Sequence, residues 1–249
     1  MAEAGTPLFL IAGGRGMRKR RGPDPLLQAA IGSVGLDRPR IAYLGVASGD
    51  DTEFRLWFTR LFRKAGAGEV ELAPLCGRSG DAGKAKAVLE ASDIVFVSGG
   101  DVEEGMRVLH EEDMTGFLRR LYRSGKPFFG TSAGSILLSQ NWVRWRDPND
   151  NESAELFPCL GLAPVLCDAH GEEDDWEELK VLLALSPTGA IGHGIASGAA
   201  IVVRPDGSLF ALGGEVDRFR KGPSGVSKIK GLVPKETLDL AHAPLKSGG

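Results

Sequence analysis

Strand-like runs alternate with helical segments four times before residue 130. The strand-like runs are 8–12, 41–46, 70–72 and 93–97. Alternation of this kind produces right-handed crossovers and a parallel sheet with helices against both faces. We therefore predict an α/β fold with a doubly wound, mostly parallel sheet covered by helices on both sides.

The helix predicted after the second run has an aromatic face. Its apolar residues recur at helical spacing: Phe54, Trp57, Phe58, Leu61 and Phe62. This periodicity is typical of an amphipathic helix that packs on a sheet. We interpret the aromatic residues as core rather than as a cofactor site.

A strand, a sharp turn and a helix are predicted around Ser132. The sequence Gly130-Thr131-Ser132-Ala133-Gly134 fits G-x-S-x-G and lies between two apolar runs. In such a nucleophile elbow the serine occupies a strained turn, and the flanking glycines let strand and helix approach closely. A Gly-Ser turn without chemistry fits the same pattern, so the interpretation depends on the strand and helix beside it.

The loop Gly99-Gly100 and the Ser132 turn both follow predicted strands. The functional loops of a parallel sheet gather at the carboxyl ends of its strands, so we expect both loops to face one crevice. An oxyanion hole needs two backbone N–H groups directed at one point. Ala133 is the expected first donor, and Gly100 the second, because a glycine loop can approach substrate closely.

A serine nucleophile needs a base, and the chain has four histidines. His170 follows a predicted strand, which places it at the same edge as Ser132, and is our candidate. His193, between two predicted strands, is the reserve candidate. We expect His110 on a helix surface and His242 in the tail. The predicted reaction is acyl transfer to water through a Ser132 acyl-enzyme.

The second half of the chain is less regular. We interpret 141–155 as an excursion or lid, and the acidic run 172–175 as the start of a helix, with a divalent-cation site as the alternative. Segments 190–195, 199–203 and 208–212 are predicted strands. We predict a single domain over 1–249, with its core at about 8–212 and a loosely attached tail at about 220–249.

Composition excludes several function classes. The net charge of −3 gives no basic field for nucleic acid, and no apolar run approaches the ~20 residues of a membrane span. We find no signal peptide and expect a cytoplasmic protein. The cysteines Cys76, Cys159 and Cys167 are scattered, which favours reduced thiols. The basic segment 15–21 could receive a phosphate or carboxylate, although we favour a solvated loop.

At this point the motifs resemble those of the peptidase E and cyanophycinase family of serine peptidases. The resemblance covers about 8–203 and is carried, in order, by Leu10-Ile11-Ala12-Gly13-Gly14, the Ile41 strand, Ser98-Gly99-Gly100-Asp101, Gly130-Thr131-Ser132-Ala133-Gly134 and Asp168-Ala169-His170. It implies a flavodoxin-like fold shared with class I glutamine amidotransferases. Those amidotransferases carry cysteine at the elbow, so Ser132 argues against amidotransfer.

The resemblance further implies a cofactor-free cytoplasmic hydrolase that acts on short peptides, without a metal. Its nucleophile would be Ser132, its base His170, and its oxyanion donors Gly100 and Ala133. We also assign substrate contacts to residues of the same loops: Gly99, Asp101, Thr131 and Glu172. We expect no nucleic-acid partner and no membrane association, and the oligomeric state stays open, a homodimer included.

The chain departs from the family's pattern at two places. The family has an aromatic residue and then arginines after the histidine, whereas here Gly171 and the acidic run follow His170. The resemblance implies substrates such as aspartyl dipeptides, but without those arginines a substrate carboxylate loses its bidentate partner, so we do not expect strict aspartyl specificity. The acidic run would instead favour a basic side chain or a free amino terminus. Ser197 occupies the expected position of the triad glutamate. Another acid must then orient the histidine; the candidates are Asp168, which we include among the catalytic residues, Glu172 and Glu215.

Two hypotheses follow. The first is a serine peptidase-like hydrolase, favoured by the elbow and the Gly99-Gly100 loop. The alternative is a catalytically silent relative that binds a peptide or small ligand in the same crevice, which the missing glutamate and the altered histidine loop favour.

Overall fold

The computed structural model describes residues 6–13, 22–147 and 149–234. The basic segment 15–21 and residues 235–249, with His242, lie outside this part. The strands are β1 (Leu8–Ile11), β2 (Ile41–Leu44), β3 (Val70–Leu72), β4 (Ile94–Val97), β5 (Phe128–Thr131), β6 (Asn141–Trp145), β7 (Ala154–Pro158), β8 (Leu166–Ala169), β9 (Ile191–Ile195), β10 (Ala200–Val203), β11 (Leu209–Leu212), β12 (Val216–Gly222) and β13 (Gly225–Leu232).

The α-helices in the described residues are α1 (Pro25–Gly32), α2 (Thr52–Lys64), α3 (Ala82–Ala91), α4 (Val102–Glu111), α5 (Thr115–Arg123), α6 (Ala133–Leu138) and α7 (Glu177–Ala184). Aspartates begin four of them, and each accepts a hydrogen bond from a backbone N–H of the first turn: Asp24, Asp51, Asp81 and Asp101. In the described part of the chain, no helix is long and apolar enough to cross a membrane.

The central sheet has seven strands in the order β11-β10-β1-β5-β4-β2-β3. The five strands from β1 to β3 in that order run parallel, and β10 and β11 complete one edge in antiparallel pairing. The predicted α/β fold with a mostly parallel sheet is confirmed. Because β4 and β5 are parallel neighbours in this order, their carboxyl ends lie next to each other.

Helices cover both faces of this sheet. Alternate side chains of each central strand point to opposite sides, so each strand contributes to two separate cores. Leu8 and Leu10 pack in a core with α3 to α6, whereas Phe9 and Ile11 pack in a second core with α1 and α2. The aromatic face of α2 belongs to the second core. Its Phe58 and Phe62 are 3% and 0% exposed, and the Phe62 ring centroid lies 4.7 Å from that of Phe96 in β4. Their interpretation as core is confirmed.

A second sheet of four strands, in the order β13-β12-β9-β8, corrects the prediction of a tail from about residue 220. Residues 216–232 form a hairpin whose Val216 and Phe219 are 0% and 2% exposed. The register shifts between Val216 and Arg218, so the buried side chains lose the two-residue period by which a strand is recognised. Phe219 packs with Trp176 and α7 in a third core.

Three other segments differ from expectation. The excursion 141–155 is largely the two-stranded hairpin β6-β7. His193 lies inside β9 rather than between strands. The acidic run forms a short 3₁₀ turn over Glu172–Asp174, and α7 begins only at Glu177. Asp175 and Trp176, with φ of 56° and 61°, interrupt the helix because left-handed residues cannot continue it.

Candidate active site

Ser132 lies in a strained turn between β5 and α6, with φ 54° and ψ −127°. Its N–H donates to the carbonyl of Ile11 (2.9 Å), which extends the pairing of β5 with β1 by one residue. The flanking glycines are sterically required. A Cβ on Gly130 would lie 2.5 Å from the Gly134 carbonyl oxygen, and one on Gly134 would lie 2.1 Å from that of Val97. The G-x-S-x-G motif is therefore a true strand-turn-helix elbow.

His170 follows β8 in the second sheet and reaches the serine across the gap between the sheets. Its Nε2 lies 2.7 Å from Oγ of Ser132. His170 also has a positive φ of 51°, and its N–H donates to the carbonyl of Ile195 at the end of β9 (2.9 Å). A nucleophile and a base within hydrogen-bond distance are the first requirement for an activated serine.

The Gly99-Gly100 loop lies against the nucleophile. A Cβ on Gly99 would lie 3.1 Å from Cβ of Ser132. Gly100 has φ 142°, and a Cβ there would come within 1.9 Å of the Ala47 carbonyl oxygen, the same oxygen that accepts a hydrogen bond from the Asp101 N–H (2.8 Å). Gly100 is thus required because of both φ and space, whereas a side chain at position 99 would be tightly packed against Ser132.

A cavity of about 270 Å³ opens over these residues. It is lined by Gly100, Asp101, Val102, Ser132, Ala133, Ile136, Trp142, Asp168, Ala169, His170, Gly171, Asp174 and Glu178. The five residues assigned to catalysis from the sequence therefore share one cavity. Gly100 and Ala133, the two oxyanion donors expected from the sequence, line the same cavity as Ser132.

The four residues assigned to substrate contact are placed differently. Asp101 lines the cavity, but its carboxylate caps α4 by accepting from the Glu104 N–H (2.9 Å). Thr131 is 2% exposed and lies behind the elbow. Gly99 and Glu172 are not among the lining residues. Gly99 lies against Ser132 instead, and Glu172 accepts a hydrogen bond from the loop at Ser197.

No carboxylate in the described part of the chain hydrogen-bonds to Nδ1 of His170. Asp168 accepts from its neighbour Ala169 (2.7 Å). Glu172 accepts from the N–H of Ser197 (3.0 Å), the residue found where the family glutamate was expected. Partial burial raises the pKa of Glu172, whereas the hydrogen bonds with Ser197 and the charge of the nearby His170 lower it. The lowering effects are larger, so the pKa of Glu172 lies below its usual value. Of the three acids considered from the sequence, Glu172 is the one whose pKa His170 helps to lower.

Among the lining residues that were not assigned to the site from the sequence, three carry polar groups: Trp142, Asp174 and Glu178. Trp142 comes from the β6-β7 hairpin, and its Nε1 donates to Glu178 (3.3 Å). Burial raises the pKa of Glu178, and the charges of Asp174 and Glu177 raise it further. The hydrogen bond from Trp142 acts in the opposite direction but does not cancel these effects. The signal was present in the polar, aromatic run 141–155 and in the acidic run, but the contact between them depends on tertiary packing.

The reserve histidine is structural. His193 is 4% exposed, and its Nδ1 lies 3.2 Å from the Leu166 carbonyl oxygen. Burial lowers its pKa to about 4, so it is neutral near pH 7. The three cysteines are free, and burial raises the pKa of each thiol. None of them is at the elbow. Among the described residues, no group of three or more His, Cys, Asp or Glu side chains is arranged to hold a metal ion.

Comparison with known proteins identifies the family. Residues 8–209 match the model of peptidase family S51. The chain belongs to peptidase family S51. It is 26% identical over 194 residues to a cyanophycinase of Nostoc sp., an alignment that covers 76% of this chain and 65% of the relative. A peptidase E of Streptomyces coelicolor is 28% identical over 174 residues, covering 64% of this chain and 69% of the relative. The matched part thus spans just under two thirds of the cyanophycinase.

Two solved structures have the same fold. A peptidase from an acI-B1 Actinobacterium superposes with a TM-score of 0.70 and 18% identity, covering 94% of this chain and 98% of that one. A putative peptidase E from Listeria monocytogenes superposes with a TM-score of 0.59 and 16% identity, covering 83% and 97%. The first superposition covers nearly all of this S51 family member, including most of the second half of its chain.

Proposed function

We propose that this chain is a serine peptidase that cleaves short peptides through a Ser132 acyl-enzyme. The observation that carries the proposal is the 2.7 Å separation between Oγ of Ser132 and Nε2 of His170 at a strained elbow. The relatives named peptidase E and cyanophycinase support a peptide substrate. The cavity of about 270 Å³ lies at the small end of ligand pockets, which favours the end of a short chain and hence exopeptidase or dipeptidase action.

In the proposed mechanism, Nε2 of His170 takes the proton of Ser132 while Oγ attacks the substrate carbonyl carbon. The oxyanion that forms receives hydrogen bonds from the N–H groups of Gly100 and Ala133. The imidazolium then gives its proton to the amine as the C–N bond breaks. A water molecule attacks the acyl-enzyme with the same base, which releases the carboxylate product and restores the serine.

Intact-mass spectrometry after treatment with a fluorophosphonate tests this proposal. Wild type should gain one adduct, and Ser132→Ala and His170→Ala should gain none. Ser124→Ala is the matched control, since Ser124 is an exposed serine at the end of α5, and should label like wild type. An adduct on Ser132→Ala would contradict the assignment. An unlabelled wild type would favour the silent relative that only binds a ligand.

A further inference from the structure

The Gly99-Gly100 loop is anchored at both ends by the end of β2 and the turn that follows it. The Ser98 N–H donates to the carbonyl of Leu44 (3.0 Å), and the Asp101 N–H donates to that of Ala47 (2.8 Å). The peptide group that joins the two glycines lies between these anchors. Its N–H is the second oxyanion donor expected from the sequence, so the orientation of this one peptide decides whether a donor faces the reacting carbonyl.

The carbonyl of the same peptide group contacts a buried side chain. Ser98 is 0% exposed, and its Oγ donates to the Gly99 carbonyl oxygen (3.3 Å). A trans peptide is planar, with its C=O and N–H on opposite edges, so a donor that holds this carbonyl also fixes the direction of the Gly100 N–H. The hydrogen bond further polarises the peptide, which makes that N–H a stronger donor.

A second serine competes for the proton of Ser98. Oγ of Ser48 lies 3.1 Å from Oγ of Ser98 and donates to the Gly45 carbonyl oxygen (3.0 Å). Each hydroxyl carries one proton, so the two serines hold two protons for three contacts. If each serine donates to its own carbonyl, the two serine oxygens face each other without a proton between them. If one serine donates to the other, a carbonyl loses its donor.

The hydroxyl of Tyr43 lies beside this pair. Tyr43 in β2 is 0% exposed, and its Oη has no hydrogen-bond partner of ordinary geometry among the described residues. Burial raises the pKa of Tyr43 to about 12, whereas the hydroxyls of Ser98 and Ser48 act to lower it. The phenol is therefore protonated near pH 7, next to two oxygens that lack a proton. A buried donor without an acceptor is unfavourable, so its proton is available to the serines.

We propose that Ser98 is a positioning residue for the reaction, which holds the Gly99 carbonyl so that the Gly100 N–H faces the oxyanion. Tyr43 donates to the serine pair and so leaves the proton of Ser98 for that carbonyl. Among the described residues that line the cavity, neither serine of the pair nor the tyrosine is included, so all three act through the loop. The inference rests on the peptidase activity proposed above.

The rate of fluorophosphonate labelling of Ser132 tests the inference with any substrate, because phosphonylation also develops charge in the oxyanion hole. Ser98→Ala should label at least about 10-fold more slowly than wild type, a part of the about 100-fold or larger effect of losing an oxyanion donor. Ser98→Cys should be equally slow, because cysteine fills the space of serine but is a weak donor. A loss caused only by an empty space would be repaired by cysteine.

Ser92→Ala is the matched control. Ser92 is also a buried serine, 6% exposed, and its Oγ donates to the Leu89 carbonyl oxygen (3.1 Å) at the end of α3. It precedes β4, whereas Ser98 follows that strand. The control should lose stability in thermal unfolding to a similar extent as Ser98→Ala and label at the wild-type rate.

Steady-state kinetics on a peptide that wild type cleaves provide a second readout. Ser98→Ala should lower kcat and kcat/KM by the same factor and leave KM unchanged, because the oxyanion exists only after the attack on the carbonyl. Tyr43→Phe should lower kcat about threefold in the wild-type background and have no effect in Ser98→Ala, because it acts through Ser98. Losses that multiply in the double variant would overturn the proposed coupling.

Labelling of Ser98→Ala at the wild-type rate, or equal losses in Ser98→Ala and Ser92→Ala, would overturn the inference and leave the peptidase proposal intact. A wild type that neither labels nor cleaves peptides would contradict the peptidase proposal. Crystal structures of wild type and Ser98→Ala would then decide the inference. A Gly99 carbonyl that turns away from position 98 in the variant would support it, and an unchanged peptide would overturn it.

Discussion

Oγ of Ser132 lies 2.7 Å from Nε2 of His170 although the two residues follow strands of different sheets. Each residue has a positive φ, and each N–H extends its strand's pairing, Ser132 to Ile11 in β1 and His170 to Ile195 in β9. The distance between them is therefore set by how the two sheets pack and not by either loop alone. Changes that disturb the packing of the second sheet should therefore alter the distance between Ser132 and His170.

Gly100→Ala should lower kcat/KM by at least about 100-fold, because the new Cβ would collide with the Ala47 carbonyl oxygen and displace an oxyanion donor. The matched control is Gly66→Ala, which has a similarly unfavourable φ of 106° but no atom within 4 Å. The control should lose stability through backbone strain, by about 1–2 kcal/mol, and retain activity. Hydrolysis assays combined with thermal unfolding of both variants separate the effects. Equal activity losses in the two would argue against Gly100 as a donor.

Glu172→Gln should lower kcat about three- to tenfold, because it removes a partly exposed negative charge that lies near His170, and such an interaction is worth up to about 1 kcal/mol. The pKa of Glu172 is lowered in the folded protein, so its contribution to stability is present above pH 4.5 and is lost as the pH falls through the lowered value. Steady-state rates and unfolding between pH 3 and 7 check both effects. Glu177→Gln is the control, and a kcat equal to that of wild type would exclude Glu172 as a positioning residue.

Asp168→Asn should raise the melting temperature relative to wild type, and more at pH 8 than at pH 4.5. Burial and neighbouring acids raise the pKa of Asp168 from 3.8 to about 7. The folded state therefore holds a proton that the unfolded state has lost, and the stability contributed by Asp168 falls as the pH rises from about 4 to 7. Asparagine carries no charge at either pH. Scanning calorimetry at both values measures the difference, and a pH-independent difference would contradict the raised pKa.

The central sheet and the elbow could be predicted from sequence because their signals are local. Apolar runs with β-strand length alternate with amphipathic helices, and the elbow's glycines, serine and strand lie within a few residues of one another. The pattern is informative because neither Gly130 nor Gly134 has room for a Cβ, so β5 and α6 can pack this closely only with glycine at both positions. His170 was found through its position after a strand, although that strand belongs to another sheet.

Only part of the second sheet could be predicted in the same way: the predicted strand 190–195 corresponds to β9, whereas β13 and the end of β12 lie in the predicted tail. A register shift at Val216 to Arg218 breaks the alternation that would have identified β12, and the buried His193 lies between glycines typical of a loop. Asp168 in β8 and Glu178 in α7 line the same cavity, and no local sequence pattern indicates that they lie close together. The hydrogen bond between Glu172 and Ser197 likewise depends on tertiary packing, because the two residues are 25 positions apart in the chain.

Gly194→Ala tests whether the second sheet positions the catalytic histidine. A Cβ on Gly194 would lie 2.6 Å from the ring of Trp176, which is 2% exposed and fixed by a hydrogen bond from its Nε1 to Asp217 (2.9 Å). Because this ring cannot move away easily, we expect a loss of about 1–3 kcal/mol in the free energy of unfolding.

The same substitution should also slow labelling of Ser132 by a fluorophosphonate, because Gly194 pairs with Asp168 in β8, two residues before His170. Gly32→Ala is the control: its Cβ would meet no atom within 4 Å, and it lies at the end of α1, away from the second sheet. Labelling rates are measured under conditions in which circular dichroism finds both variants folded. A destabilised Gly194→Ala protein that labels at the wild-type rate would mean that the position of His170 does not depend on the packing of β9 against Trp176.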